Sequence, residues 1–275
     1  MIGMAFWFVY VMKTLIKYLS IREKMIARLM ATPRSAYTNL TFHKLRVELK
    51  KVNALFEILG YCSPEFNRKA YFKPFKILFK QAGKVRELQI TEALLNQHVA
   101  EDSLTQFGQY ITMQMQKAED VFFSLTTKSK RAKLKKQLQK TEPFTLQAKR
   151  KKILNYLEKE RKKIENIMTA ENIPTDLVHT LRKRIKTYNY NRRILEKHDL
   201  SKKILSTDHL SDLLGQWHDL RITLGYIQSM KKSAVVKPEE SAQLLEGERK
   251  MTVECNQLFE DILNAVPSSE FYKGR

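Results

Sequence analysis

The stretch FHKLRVELKKVNALFEIL, Phe42–Leu59, decides how the rest of the chain reads. At about 100° per residue, Phe42, Leu45, Leu49, Val52, Phe56 and Leu59 fall on one side of a helix as an apolar stripe. His43, Arg46, Lys50 and Asn53 keep the same spacing and form a polar row that borders the stripe. A solvated outer face would lie farther round. Basic groups at a core border point into a groove between helices.

Outward from this stretch, apolar residues recur at three- and four-residue steps over roughly 14–30, 38–60, 69–98, 102–139, 145–169, 174–198, 204–230 and 238–265. Breaks at Thr32-Pro33, Ser63-Pro64, Glu142-Pro143, Ile173-Pro174 and Lys237-Pro238 separate these segments. No long run alternates at period two, so the expected class is all-α with eight helices. The sparse use of glycine and proline, 8 and 7 in 275 residues, fits long helices better than many tight turns.

The opening pattern returns in VHTLRKRIKTYNYNRRIL, Val178–Leu195. His43, Leu45, Arg46, Lys50 and Asn53 reappear 136 positions later as His179, Leu181, Arg182, Lys186 and Asn189, and Arg193 extends the row. AGKVRELQIT, from Ala82, recurs as LGQWHDLRIT, from Leu214. There Gly83, Glu87, Leu88, Ile90 and Thr91 are answered by Gly215, Asp219, Leu220, Ile222 and Thr223. Two related halves account for both matches. The expected organisation is an apolar extension over 1–13 and two four-helix bundles over 14–140 and 141–275, related by a pseudo-twofold repeat.

Gly83 and Gly215 lie inside helical patterns, where glycine costs about 1 kcal/mol relative to alanine. Close helix crossing would explain them, and so would room for an anion. Lys76, Lys80, Lys84 and Arg86 crowd the first glycine, whereas Asp208 and Asp212 stand where Lys76 and Lys80 would recur. The first half is therefore expected to supply more anion contacts, Lys76 and Lys80 among them.

Composition points the same way. Fifty Lys and Arg against 29 Asp and Glu give a formal charge of +21 and a pI near 9.8. Such an excess favours polyanions: nucleic acid, anionic membrane or chains of phosphate. Cys62 and Cys255 are too few for a disulfide framework, which makes a reducing compartment, the cytoplasm, the expected location. MIGMAFWFVYVM, at the start, is too short to span a bilayer and lacks a basic leader. No transmembrane segment is expected.

In FHKLRVELKK, GKVREL, VHTLRKRIK and LGQWHDLR, taken in this order, the chain resembles the CHAD domain family, the conserved histidine α-helical domain, in a stand-alone form. The resemblance covers roughly residues 14–265. It implies two four-helix bundles around a basic central cavity, and binding of inorganic polyphosphate, with association with polyphosphate granules. The implied contacts are His43, Arg46, Lys50, Arg86, His179, Arg182 and Lys186, joined by His218 and Arg221. The chain departs from the family pattern at Glu87, where aspartate is more typical, and at Thr187, where a second basic residue often stands.

That chemistry suits these side chains. Arginine offers a planar fork to two phosphate oxygens, lysine a mobile point charge, and histidine a donor once protonated. No catalytic group, cofactor or metal set is expected. E-x-E-x-K at Glu158, Glu160 and Lys162 copies the signature of the triphosphate tunnel enzymes, whose glutamates share one face of a strand. On the helical pattern around it, the two glutamates point about 200° apart. The run KSKRAKLKKQLQK, Lys128–Lys140, carries seven basic residues and no acidic one. It supports the alternative function, a helical nucleic-acid-binding protein with an exposed basic face.

Overall fold

The computed structural model describes residues 2–100, 104–170, 173–196, 208–232, 238–269 and 271. These are helical almost throughout, and no strand occurs among them. The order is α1 (Ile2–Ala31), a short 3-10 turn (Arg34–Ala36), α2 (Asn39–Cys62), α3 (Arg68–His98), α4 (Thr105–Ser124), α5 (Lys128–Gln139), the single turn α6 (Glu142–Thr145), α7 (Arg150–Met168), α8 (Thr175–Glu196), α9 (Asp208–Lys232) and α10 (Pro238–Ala265).

Three expectations change. The first helix starts at Ile2, not at residue 14, so the apolar opening is one continuous helix with the segment behind it. The span 102–139 is two helices. Thr127, in extended backbone, caps a new helix by accepting from the Lys130 amide at 3.3 Å, while the Thr126 hydroxyl satisfies the Phe123 carbonyl at 2.9 Å. The helix expected over 145–169 starts only at Arg150, as α7, and Thr145 instead ends the separate turn α6. With α5 separate, nine helices of 12 residues or more stand among the described residues, where eight were expected. The expected helix ends at 102–103, 197–198 and 204–207, and the Lys237 side of the last proline break, lie outside the described residues.

The phase of α2 is set at its start. Thr38 and Thr41 form a reciprocal capping box, with the Thr41 amide donating to the Thr38 hydroxyl at 3.3 Å. That start turns Phe42, Leu45, Leu49, Val52, Phe56 and Leu59 inward, and all six are at most 1% exposed. Each such side chain contributes about 1.5–3 kcal/mol through burial. Phe42 also meets Tyr37 and Phe122, with ring centroids 4.5 and 4.8 Å away, which ties the start of α2 to the end of α4. On α8, Val178, Leu181 and Ile185 are buried in the same way.

Two apolar cores result. The first draws on α1, α2, the first part of α3, α5 and the start of α7; the second on α9, α10, most of α8 and the later parts of α3 and α7. Cys62 and Cys255 are buried in different cores, which keeps the two thiols apart. What positions the polar rows is the helix pairing. α2 packs on α3, α8 packs on α9, and the pairs cross-contact as α2 with α8 and α3 with α9. Among the described residues, no helix is long and apolar enough to cross a membrane.

Candidate functional site

The cross-contacts bring the two polar rows onto one another. His43, Arg46 and Lys50 project from α2, and His179, Arg182 and Lys186 from α8. α3 contributes Arg86 and Glu87, and α9 contributes His218 and Asp219. Charges from all four helices act on each other. Lys50 feels Arg46 on its own helix, Arg182 and Lys186 on α8, and Asp219 on α9. His43 feels Arg86 and Lys186. The Asp219 carboxylate sits in the combined field of Arg182, Lys186, Arg86 and Lys50.

Burial in the groove disfavours the charged form of the shifted groups, and among the cations repulsion from like charge adds to it. Lys50 is held down to about 7, first by burial and then by repulsion from Arg46, Arg182 and Lys186. Burial likewise lowers Arg46, Arg182 and Lys186. His218 is held down to about 3 by burial, with Arg182, His179, Lys50 and Lys186 adding to it. His43 and His179 move the same way. Burial raises Glu87 and Asp219, against the pull of the cations beside them.

The glycines play different parts. A Cβ on Gly83 would collide with the Nη1 of Arg46, whose guanidinium lies 4.8 Å from the centroid of the Phe79 ring and donates to the Phe79 carbonyl at 3.4 Å. Gly83 is thus the seat of an arginine, not a widening for an anion. At Gly215 no heavy atom beyond its chain neighbours and its own helix backbone lies within 4 Å of the Cβ position, so that space is open. Nearby, the His179 and His218 rings stand 4.9 Å apart. With Trp217 and Arg221 they line a recess of about 470 Å³ at the start of α8. Arg221 is exposed, with its guanidinium 5.9 Å from the centroid of the Trp217 ring.

Other expected members stand apart from this cluster. Lys76 and Lys80 are exposed on α3, about two turns and one turn before Gly83, and neither is among the charges that act on the cluster. Arg193 is exposed in the last turns of α8, where it acts on Tyr190. Asn53 accepts from Arg68 at 3.2 and 3.3 Å and is occupied there. Asn189 is buried. Sequence reading assigned no role to Glu87 and Asp219. The signal was present, because these are the acidic positions that the internal repeat preserves.

Glu158 and Glu160 lie on the helix α7, not on a strand, and point to different partners. Glu158 pairs with Arg161 at 2.8 Å, and Glu160 with Arg184 at 2.9 Å. Among the described residues, no group of three or more His, Cys, Asp or Glu side chains could hold a metal.

A search of curated proteins finds no match to this chain. The family model of the CHAD domain matches residues 28–228, a span that contains α2, α3 and α8 whole and α9 to within its last turn. With nearly three quarters of its length matched, and with the histidine-bearing rows of α2 and α8 inside that span, the chain belongs to the CHAD domain family.

Proposed function

We propose that this protein binds inorganic polyphosphate without catalysing its turnover, through the Arg, Lys and His rows of α2 and α8 and their neighbours Arg86 and His218. The rows line a cavity between two four-helix halves related by the internal repeat. Membership of the CHAD family, which is associated with polyphosphate binding, supports the reading. The observation that carries it is the mutual field of Lys50, Arg182, Lys186 and Asp219, side chains of three helices. Polyphosphate bears negative charge on every repeating unit and offers no bases to read. Cations held on rigid helices with their hydration partly removed are the donors such a chain needs. We place this role in the cytoplasm, at polyphosphate granules.

The second reading uses the exposed lysines of α5, Lys128, Lys130, Lys133, Lys135 and Lys136, as a face for nucleic acid. Competition separates the two. Long-chain polyphosphate is expected to displace the protein from RNA at phosphate concentrations at least about tenfold below those needed for the reverse. Equal competition per phosphate, measured by filter binding at fixed salt, would favour the outer face.

Binding is also expected to take up protons. In the free protein Lys50 is half neutral near pH 7, because its value is depressed to about 7. A phosphate chain favours the ammonium, and the histidinium forms of His43 and His179. Affinity should therefore fall as pH rises from 6 to 8, by up to about tenfold per linked proton and pH unit. The free protein responds oppositely. Between about 7 and the ordinary lysine value of 10.5 the unfolded chain holds more protons at Lys50, so this group makes stability rise with pH there. Titration calorimetry in two buffers of different ionisation enthalpy counts the protons, and a count of zero would remove Lys50 from the site.

A further inference from the structure

A second basic cavity, of about 590 Å³, opens between α2, α7 and α8 on residues outside the rows above. Its cations are Arg68, Lys159, Lys163, Lys183 and Arg184, and its carboxylates are Glu57 and Glu160. Both carboxylates are already neutralised. Glu57 pairs with Arg68 at 2.6 Å and accepts from the Tyr156 hydroxyl at 3.1 Å. Glu160 pairs with Arg184 at 2.9 Å and with Lys163 at 2.5 Å. Five cations against two carboxylates leave a surplus of three positive charges. Among the described residues, neither Lys159 nor Lys183 pairs with a carboxylate, so the surplus includes two lysines ready for an anion.

The cavity also has an aromatic wall. Phe66 and Tyr156 are buried at its base, 4% and 5% exposed. Tyr61 stands at the rim, 41% exposed, its ring 5.5 Å from that of Tyr156. The Lys159 ammonium lies 5.6 Å from the centroid of the Tyr61 ring. A flat ring beside a free ammonium suits a ligand that joins a planar base to phosphates. The volume is that of a small-molecule site.

We propose that this cavity is a second anion site, separate from the polyphosphate rows, and takes a nucleoside di- or triphosphate. The base lies on Tyr61, and the phosphates lie on Lys159 and Lys183. Glu160, held by Arg184 and Lys163, keeps the floor of the site ordered without drawing on either free lysine.

The test is calorimetric titration of the full chain with ADP, adenosine and tripolyphosphate. It is run on the wild type and on the Arg46→Glu, Arg182→Glu variant, in which the rows are disabled. ADP should saturate a single site in both proteins. In the variant, adenosine and tripolyphosphate should each bind at least about tenfold more weakly than ADP, because each lacks one half of the recognised chemistry. Lys159→Glu with Lys183→Glu, and separately Tyr61→Ala, should weaken ADP by about tenfold or more. Because Lys183 also acts on His179 of the α8 row, the polyphosphate control is Tyr61→Ala, whose affinity for long-chain polyphosphate should stay within about threefold. All three substituted residues are exposed, so the fold is expected to survive. Absence of saturable ADP binding, tripolyphosphate binding as tightly as ADP in the variant, or wild-type ADP affinity after these substitutions would each overturn the site. None of these results bears on whether long-chain polyphosphate binds the rows.

Discussion

Arg46→Glu combined with Arg182→Glu is expected to weaken binding of long-chain polyphosphate by about 100-fold or more, while the far-ultraviolet signature of helix stays unchanged. Each arginine is partly desolvated, and the two act on one another across the α2–α8 contact. Removing a desolvated charge that faces a ligand charge costs about 2–5 kcal/mol, and reversing its sign adds repulsion. The new carboxylates would face Glu87 and Asp219 as well as Arg86, but helix content should survive because the buried stripes of α2 and α8 hold both helices in place. The control is Lys133, Lys135 and Lys136 changed together to Glu. These lie exposed on α5, and among the described residues only Lys135 has a carboxylate near by, Glu23 at 3.5 Å. They should alter affinity by less than about tenfold, mainly through the long-range field that salt screens. A larger loss from the α5 triple change than from the two arginines would transfer the binding face to the outside of the molecule.

The second large effect is structural. Glu48 is buried in the middle of α2, and Arg22 of α1 reaches it with Nη1 at 2.9 Å from Oε2 and 3.2 Å from Oε1. Their side chains are only 8% and 10% exposed. Lys51 adds a contact to the same carboxylate at 2.7 Å from a position nearer solvent. Glu48→Leu leaves the Arg22 guanidinium buried without its partner and is expected to cost about 3–5 kcal/mol. For a chain of this length that is a fall of roughly 10 °C in melting temperature. Adding Arg22→Met should restore most of the loss, because two apolar side chains of similar volume replace the pair. A double mutant with no recovery in urea unfolding would mean that the pair does more than neutralise itself. The position matters for the site as well. Glu48 lies two residues before Lys50, so α1 anchors the helix that carries the first row, although Arg22 is outside the residues matched to the family.

Much of this was legible along the chain. The stripe from Phe42 to Leu59 became a buried face because its spacing matches the turn of a helix, and neighbouring segments with stripes of their own cover it. The row from His43 to Lys50 kept its place at the edge of that face for the same reason. The row recurred along the chain at His179, Arg182 and Lys186, and a second match set the acidic Glu87 against Asp219. The break at Leu125–Thr127 was harder to see. Its apolar period continues from α4 into α5, and only the Thr127 cap interrupts the backbone. Asn53 kept the right phase and yet left the row, because Arg68, from the start of the next helix, reaches it first.

By itself the amino-acid order determined the helical class, the buried stripes, the bordering cations and their duplication, since each depends on spacing within one segment. Which edges meet was decided by packing between segments far apart in the chain. The α2–α8 contact set His43 near Lys186 and Lys50 near Arg182, the α2–α3 contact placed the Arg46 guanidinium on Gly83, and the packing of α7 on α2 and α8 grouped Tyr61, Lys159 and Lys183 around one cavity. The physical reason is that helix periodicity fixes a side chain's direction about its own axis, whereas electrostatic coupling and desolvation depend on what another helix brings opposite to it.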